Sequence, residues 1–191
     1  MYYMFWYDEE VKRLELERSN RQSNAGMVFY GSSSIRMWNS LTVDFAQFHP
    51  INAGFGGSTL AACSWFFERT VAPLQPTSLV LYAGDNDLGD GRHPEEVFLF
   101  FKQLVLQIEQ KFGSIPVAFL SIKPSLTRWN IIDQITYTNK IIKNEIEKNH
   151  PTICYIDIFT QMMDEFGFPK REFYMHDGLH INEKGYALWK K

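Results

Sequence analysis

Close to its C-terminus the chain reads Met175-His176-Asp177-Gly178-Leu179-His180, an aspartate and a histidine three residues apart with a glycine between them. If Gly178 lets the backbone curl, the Asp177 carboxylate can turn back to the His180 ring, fix its tautomer and stabilise the imidazolium. A base oriented in this way needs a nucleophile. Far upstream an apolar run, Met27-Val28-Phe29-Tyr30, breaks at Gly31-Ser32-Ser33-Ser34. A serine hydroxyl attacks a carbonyl only when a neighbouring base takes its proton, and an imidazole, with an ordinary pKa of about 6.5, suits that task at neutral pH. Ser, His and Asp together point to acyl transfer.

These residues can meet only if the elements between them bring them to one place. The hydrophobic pattern alternates between short β-type runs and longer helical ones. A polar amphipathic segment covers Asp8 to Gln22; strands are expected at Met27–Tyr30, near His49–Asn52, and at Leu79–Ala83, Pro116–Leu120 and Ile153–Asp157. Helices are expected over Thr59–Thr70, Pro94–Phe112, Trp129–Asn149 and Asn182–Lys190. Pro94 suits a first helical turn and Asn182 an N-cap. Strands that are apolar throughout and separated by helices predict an α/β fold, a three-layer α/β/α sandwich around a five-stranded parallel sheet. In such sheets ligands gather beyond the carboxyl ends of the strands. Gly31 to Ser34, Asn52 to Ser58 and Gly84 to Asp87 each follow a strand, and Asp177 to His180 lies beyond the last one. All four should converge on one edge.

Taken in this order, the four segments resemble the sequence blocks of the SGNH hydrolases, also called the GDSL lipase/esterase family, and in particular its platelet-activating-factor acetylhydrolase-like members. The resemblance covers nearly the whole chain. It implies a flavodoxin-like sheet and a serine esterase that needs no cofactor. Carried over residue by residue, it makes Ser33 the nucleophile, with Asp177 and His180 matching the final pair. Gly57, second of the Gly56-Gly57 pair, and Asn86, in Gly84-Asp85-Asn86-Asp87, match the oxyanion-hole blocks. A tetrahedral oxyanion would then meet three donors, the N–H groups of Ser33 and Gly57 and the Asn86 amide, each worth roughly 3–4 kcal/mol. Glycine at position 57 is expected because a side chain there would crowd the oxyanion. One position departs from the family: the residue before the nucleophile is usually Asp and here is Ser32. The acyl-transfer roles do not need that Asp. Which of the three serines attacks rests on the resemblance, since Ser32 and Ser34 also suit helix caps.

Each feature also has an ordinary reading. The serine cluster could be an N-cap, and Asn86 and Asp87 could be turn formers. The glycines from Gly54 to Gly57 could cradle a phosphate, but no Walker lysine follows and the spacing is not that of a dinucleotide fingerprint. His176 and His180 could suggest a metal pair; four-residue spacing holds a metal best on a helix, which Gly178 disfavours, so no metal is expected. Substrate contacts are expected from Trp38, Phe55, Lys123, Arg128 and Trp129, with an aromatic and aliphatic rim favouring a small or medium acyl chain and Lys123 or Arg128 holding an anionic or polyhydroxylated leaving group. The segment Phe166 to Tyr174 could form a wall or lid. The expected reaction is cleavage of a carboxylic ester, short-acyl or O-acetyl, through an acyl-enzyme. A carbohydrate O-acetylesterase or a thioesterase would use the same machinery, and a non-catalytic ligand-binding module would share only the fold.

Composition permits this and excludes much else. A chain of 191 residues, 45% hydrophobic and 21% charged, is expected to form one domain, with residues 1–24 as a helical extension packed on it. The net charge of −3 and the mixed signs of the one dense charge run, Asp8 to Arg21, offer no basic stripe for nucleic acid. Cys63 and Cys154, far apart and without metal spacing, read as reduced, buried fillers. The aromatic start, Tyr2 to Tyr7, lacks the basic region and cleavage site of a signal peptide, and no apolar run approaches the roughly 20 residues of a spanning helix. A cytoplasmic location is therefore expected. Left bare, those aromatics would be a costly patch, so they should pack on the domain or on a second copy in a homodimer.

Overall fold

The computed structural model describes residues 2–20 and 26–191. Five strands, β1 (Met27–Gly31), β2 (Ile51–Gly54), β3 (Ser78–Tyr82), β4 (Val117–Leu120) and β5 (Ile153–Ile156), form one parallel sheet in the order β2-β1-β3-β4-β5. The helices are α1 (Asp8–Ser19), α2 (Ser33–Arg36), α3 (Leu41–Asp44), α4 (Leu60–Thr70), α5 (Asp85–Gly89), α6 (Pro94–Phe112), α7 (Ile132–Asn149) and α8 (Glu183–Trp189). A 3₁₀ turn over Tyr2–Tyr7 leads into α1.

Alternation along the strands divides the core between the two faces. Val28 and Tyr30 of β1, with Leu79, Leu81, Val117 and Phe119, pack with α1, α4, α6 and α7. Phe29, Val80, Tyr82 and Leu120 point the other way, onto Ile35, Trp38, Leu41, Tyr186 and Trp189. α6 shows why a helix lies here: Val97, Phe101, Leu104, Val105 and Ile108 recur at helical spacing and are all buried. Each such side chain contributes roughly 1.5–3 kcal/mol on leaving water.

The register sets up the functional edge. Gly31 pairs level with Gly54 on one side and with Tyr82 on the other, so the segments that follow β1, β2 and β3 leave the sheet side by side.

Beyond shifts of one residue at strand ends and the short helices α3 and α5, several details differ from the sequence reading. β2 starts at Ile51 rather than His49, because His49 is left-handed (φ 49°) at the end of a 3₁₀ turn and Pro50 has no N–H for the ladder. The seventh helix is preceded by a 3₁₀ turn, Trp129–Ile131. The first ends at Ser19, and residues 1 and 21–24 of the expected extension lie outside the described ones. Cys154 is exposed, unlike Cys63, because β5 is an edge strand whose residues are only partly covered. Among the described residues no helix is long and apolar enough to cross a membrane.

Candidate active site

Ser33 opens α2 directly beyond β1. Ser32 occupies the N-cap position with extended backbone, but its hydroxyl makes no capping bond; its carbonyl instead receives the N–H groups of Ile35 and Arg36. Of the three serines, Ser32 and Ser34 are buried and Ser33 is half-buried. Ser33 Oγ lies 3.1 Å from His180 Nε2, and His180 Nδ1 lies 2.6 Å from Asp177 Oδ2. With the Asp177 carboxylate accepting from Nδ1–H, the lone pair on Nε2 faces the serine hydroxyl.

A tight turn holds that pair of residues. Asp177 Oδ1 accepts the backbone N–H groups of Leu179 and His180 at 2.9 Å each. Gly178 adopts a φ of 67°, which brings residue 180 back over residue 177 and which glycine adopts without strain. From below, Leu126 N–H donates to the Gly178 carbonyl at 3.0 Å and Thr127 Oγ1 to the Asp177 carbonyl at 2.6 Å. Partial burial by itself would raise the Asp177 carboxyl, but the hydrogen bonds from the His180 ring and from those two N–H groups outweigh it and hold the pKa at about 2. Asp177 is therefore ionised at any pH near neutrality.

Gly57 and Asn86 lie in the segments that follow β2 and β3, the two strands that flank β1. Gly57 has a φ of 68°, and a Cβ built there would meet nothing within 4 Å. This positive φ, which glycine adopts without strain, is the reason the structure supplies for glycine there. Asn86 Nδ2 donates to the Ser58 carbonyl at 3.0 Å, while Arg128 Nη2 donates to Asn86 Oδ1 at 2.9 Å. The guanidinium thus fixes the amide's orientation and leaves the second N–H of Nδ2 uncommitted.

The sequence-predicted substrate contacts fare differently. Trp38 is buried between Phe29, Phe45, Tyr186 and Trp189, and Phe55 between Tyr7, Tyr30 and Phe66, so both are core residues and not rim. Lys123 is also buried, with Nζ 3.1 Å from Asp85 Oδ2, and Arg128 Nη1 is 3.3 Å from the same oxygen. Burial would raise the Asp85 carboxyl, but these two cations overcome that and keep it below the ordinary range. The loop after β4 therefore buries Lys123, which is a core ion-pair partner and not a rim contact, commits Arg128 to Asp85 and Asn86, and supports the Asp177 turn through Leu126 and Thr127. Trp129 is half-buried and packs tilted against Phe168 of the Phe166–Tyr174 segment, with ring centroids 5.0 Å apart. The Asp85–Lys123–Arg128 group beside Asn86 was not evident from sequence; its one signal was that Lys123 lies three residues beyond the end of an apolar strand.

The sequence profile described as GDSL-like Lipase/Acylhydrolase family matches residues 27–188, most of the chain. The chain belongs to this family. Its members are lipases and acylhydrolases, and this protein is accordingly a hydrolase of ester bonds. No curated protein sequence matches it significantly. Solved structures share the fold at low identity. A Streptococcus pneumonia protein provisionally described as a platelet activating factor has a TM-score of 0.85 at 16% identity, covering 97% of this chain and 90% of its own. A GDSL-like lipase from Bacteroides thetaiotaomicron has a TM-score of 0.81 at 21% identity, covering 94% and 93%. A carbohydrate esterase family 3 protein from Talaromyces cellulolyticus has a TM-score of 0.71 at 14% identity, covering 87% and 92%.

Proposed function

We propose that this GDSL-family hydrolase is a serine esterase that cleaves a short-acyl ester through an acyl-enzyme. The observation that carries the reading is the unbroken line from Asp177 through His180 to Ser33, 2.6 and 3.1 Å long. In the first half-reaction the Ser33 hydroxyl adds to the ester carbonyl as His180 Nε2 takes its proton, and the charge formed on the ring is matched by ionised Asp177. The tetrahedral oxyanion is received by the N–H groups of Ser33 and Gly57 and the free N–H of Asn86. Collapse expels the alcohol, which takes the proton from His180. Water then repeats the sequence on the acyl-enzyme, and the acid leaves.

A groove that reaches Gly57 and Asn86 gives the body of the substrate a place to lie. It is open, about 970 Å³ in volume, and lined by Gly57 and Asn86 together with Phe5, Trp6, Tyr7, Asp90 and Arg92. Phe5 and Trp6 are largely exposed, 73% and 83%, and so are available to an apolar face. Aromatic rings lining the same groove as an acid and a base also suit an O-acetylated sugar, whose ring has an apolar face and a polar edge, and this second reading accords with the carbohydrate esterase among the structural neighbours. A thioester would meet the same groups.

Hydrolysis of p-nitrophenyl acetate, butyrate and octanoate by the wild type and Ser33→Ala tests the proposal, with a fluorophosphonate label mapped by mass spectrometry. Turnover that declines with acyl length, disappears in the variant and accompanies a label on Ser33 is expected. An unlabelled Ser33, or full activity in Ser33→Ala, would remove it as nucleophile; no turnover and no label would favour a ligand-binding module.

A further inference from the structure

The stretch before β1 lies outside the residues matched by the family profile, which begin at 27, yet it reaches into the site. Three of its side chains hold the glycine loop between β2 and α4. Tyr7 Oη donates to the Gly57 carbonyl at 3.1 Å, Gly56 N–H donates to Glu10 Oε2 at 3.4 Å, and Arg13 Nη2 donates to the Gly54 carbonyl at 3.0 Å. Glu10 also pairs with Arg36, 3.1 Å away, and Arg36 closes the short helix that Ser33 opens.

The placement of these bonds matters more than their number. The N–H of Gly57 belongs to the peptide plane between Gly56 and Gly57. The plane before it is anchored through the Gly56 N–H to Glu10, and the plane after it through the Gly57 carbonyl to Tyr7. Two consecutive glycines otherwise rotate with little steric restraint, so the direction of the N–H between them is decided by what fixes its neighbours. The Tyr7 ring is itself fixed, 8% exposed and edge-on to Phe55 and Phe66.

We propose that Tyr7 and Glu10 are positioning residues for ester hydrolysis, aiming the Gly57 N–H at the developing oxyanion. This rests on the serine esterase reading above. A donor that must be in place before charge develops loses much of its effect when it wanders, so the signature is a loss in kcat without a loss in substrate binding.

The test compares wild type, Tyr7→Phe, Glu10→Ala and Glu10→Gln in p-nitrophenyl acetate hydrolysis, with amide hydrogen exchange followed over residues 54–58. Tyr7→Phe keeps the packed ring and loses one hydroxyl. It should lower kcat on the order of tenfold, a fraction of the loss from deleting a whole donor, leave KM within about twofold and speed exchange at Gly56 and Gly57. Glu10→Ala should behave alike, and Glu10→Gln, which keeps an acceptor for the Gly56 N–H, should recover most of the rate. Unchanged kcat in an active background, a rise in KM alone, or a fall in kcat with unaltered exchange at these glycines would each overturn the inference and leave the esterase reading intact. A wild type inactive on every ester would instead take down that reading and this inference with it.

Discussion

At the scale of single residues, the site turns on the direction in which protons and lone pairs point. Asp177 accepts from three N–H groups at once, which is why its carboxyl titrates near 2 and remains a base-orienting anion in mild acid. Asp177→Asn preserves the size and one acceptor but presents an NH₂ to the ring, so His180 would carry its proton toward Ser33 and could not receive another. Its kcat should fall on the order of 10³- to 10⁴-fold with the fold unchanged by circular dichroism; a loss under tenfold would contradict this role. Asn86→Ala should cost roughly 100- to 1,000-fold in kcat with little change in KM, as measured on p-nitrophenyl acetate. Arg128 acts through Asn86, because its hydrogen bond to Oδ1 selects which end of the amide faces the site. Sequence reading placed Arg128 near the chemistry but assigned it to a leaving group, since spacing alone carries no information on whether a long cationic side chain turns outward or inward.

Among elements, the loop from Ser121 to Arg128 supports the others. It pins the Asp177 turn through Leu126 and Thr127 and holds Asp85 at the head of α5 through Lys123. A buried carboxylate that loses its closest cation is left with a desolvation cost its remaining partner only partly offsets. Lys123→Ala should therefore destabilise the fold by about 3 kcal/mol in denaturant unfolding, at the low end for a broken buried pair because Arg128 stays beside Asp85. A change below about 1 kcal/mol would argue that the pair is neutral to stability. The groove wall is a separate matter. Trp6→Ala removes exposed aromatic surface and touches none of the reacting groups, so it should raise KM for substrates with a bulky apolar or sugar portion while leaving acetate turnover near the wild-type value.

For the whole molecule, two carboxylates set opposite trends of stability with pH. Burial raises Asp87 to about 6, against the lowering influence of the N–H groups of Leu60 and Ala61 and of Arg92. A group raised on folding contributes stability at low pH and loses it as pH climbs through the folded value. The folded state should thus weaken by about 2–3 kcal/mol between pH 4 and pH 7 on account of Asp87. Asp177, depressed on folding, works the other way and in a lower window, its contribution vanishing as pH falls from about 4 to about 2. Unfolding of Asp87→Asn, which keeps an acceptor for the Leu60 N–H but no charge, should gain on the wild type by that 2–3 kcal/mol across pH 4 to 7. Parallel curves would show that burial does not raise this carboxyl.

The order of apolar runs sufficed to predict a parallel five-stranded sheet, because fully buried strands must be apolar on both faces and helices must return the chain to the same edge. That Asp177 and His180 would meet the serine cluster was legible for a related reason: each stands where a strand ends or a turn tightens, and those positions share one edge. The choice of Ser33 among three serines, and of Gly57 and Asn86 as oxyanion donors, came from the family resemblance. Residues set by packing were not legible in this way. Trp38 and Phe55 have a rim residue's composition and a core residue's environment, and only the meeting of α2, α8 and the N-terminal segment buries them. The inward turn of Lys123 and Arg128, and the hydrogen bonds of Tyr7 and Glu10 to a glycine loop more than 40 residues away, likewise depend on distances that exist only in the folded chain. Local pattern determines what an element is and which end faces the site; tertiary structure decides which polar groups find partners, since each pairing weighs desolvation against contacts drawn from distant parts of the chain.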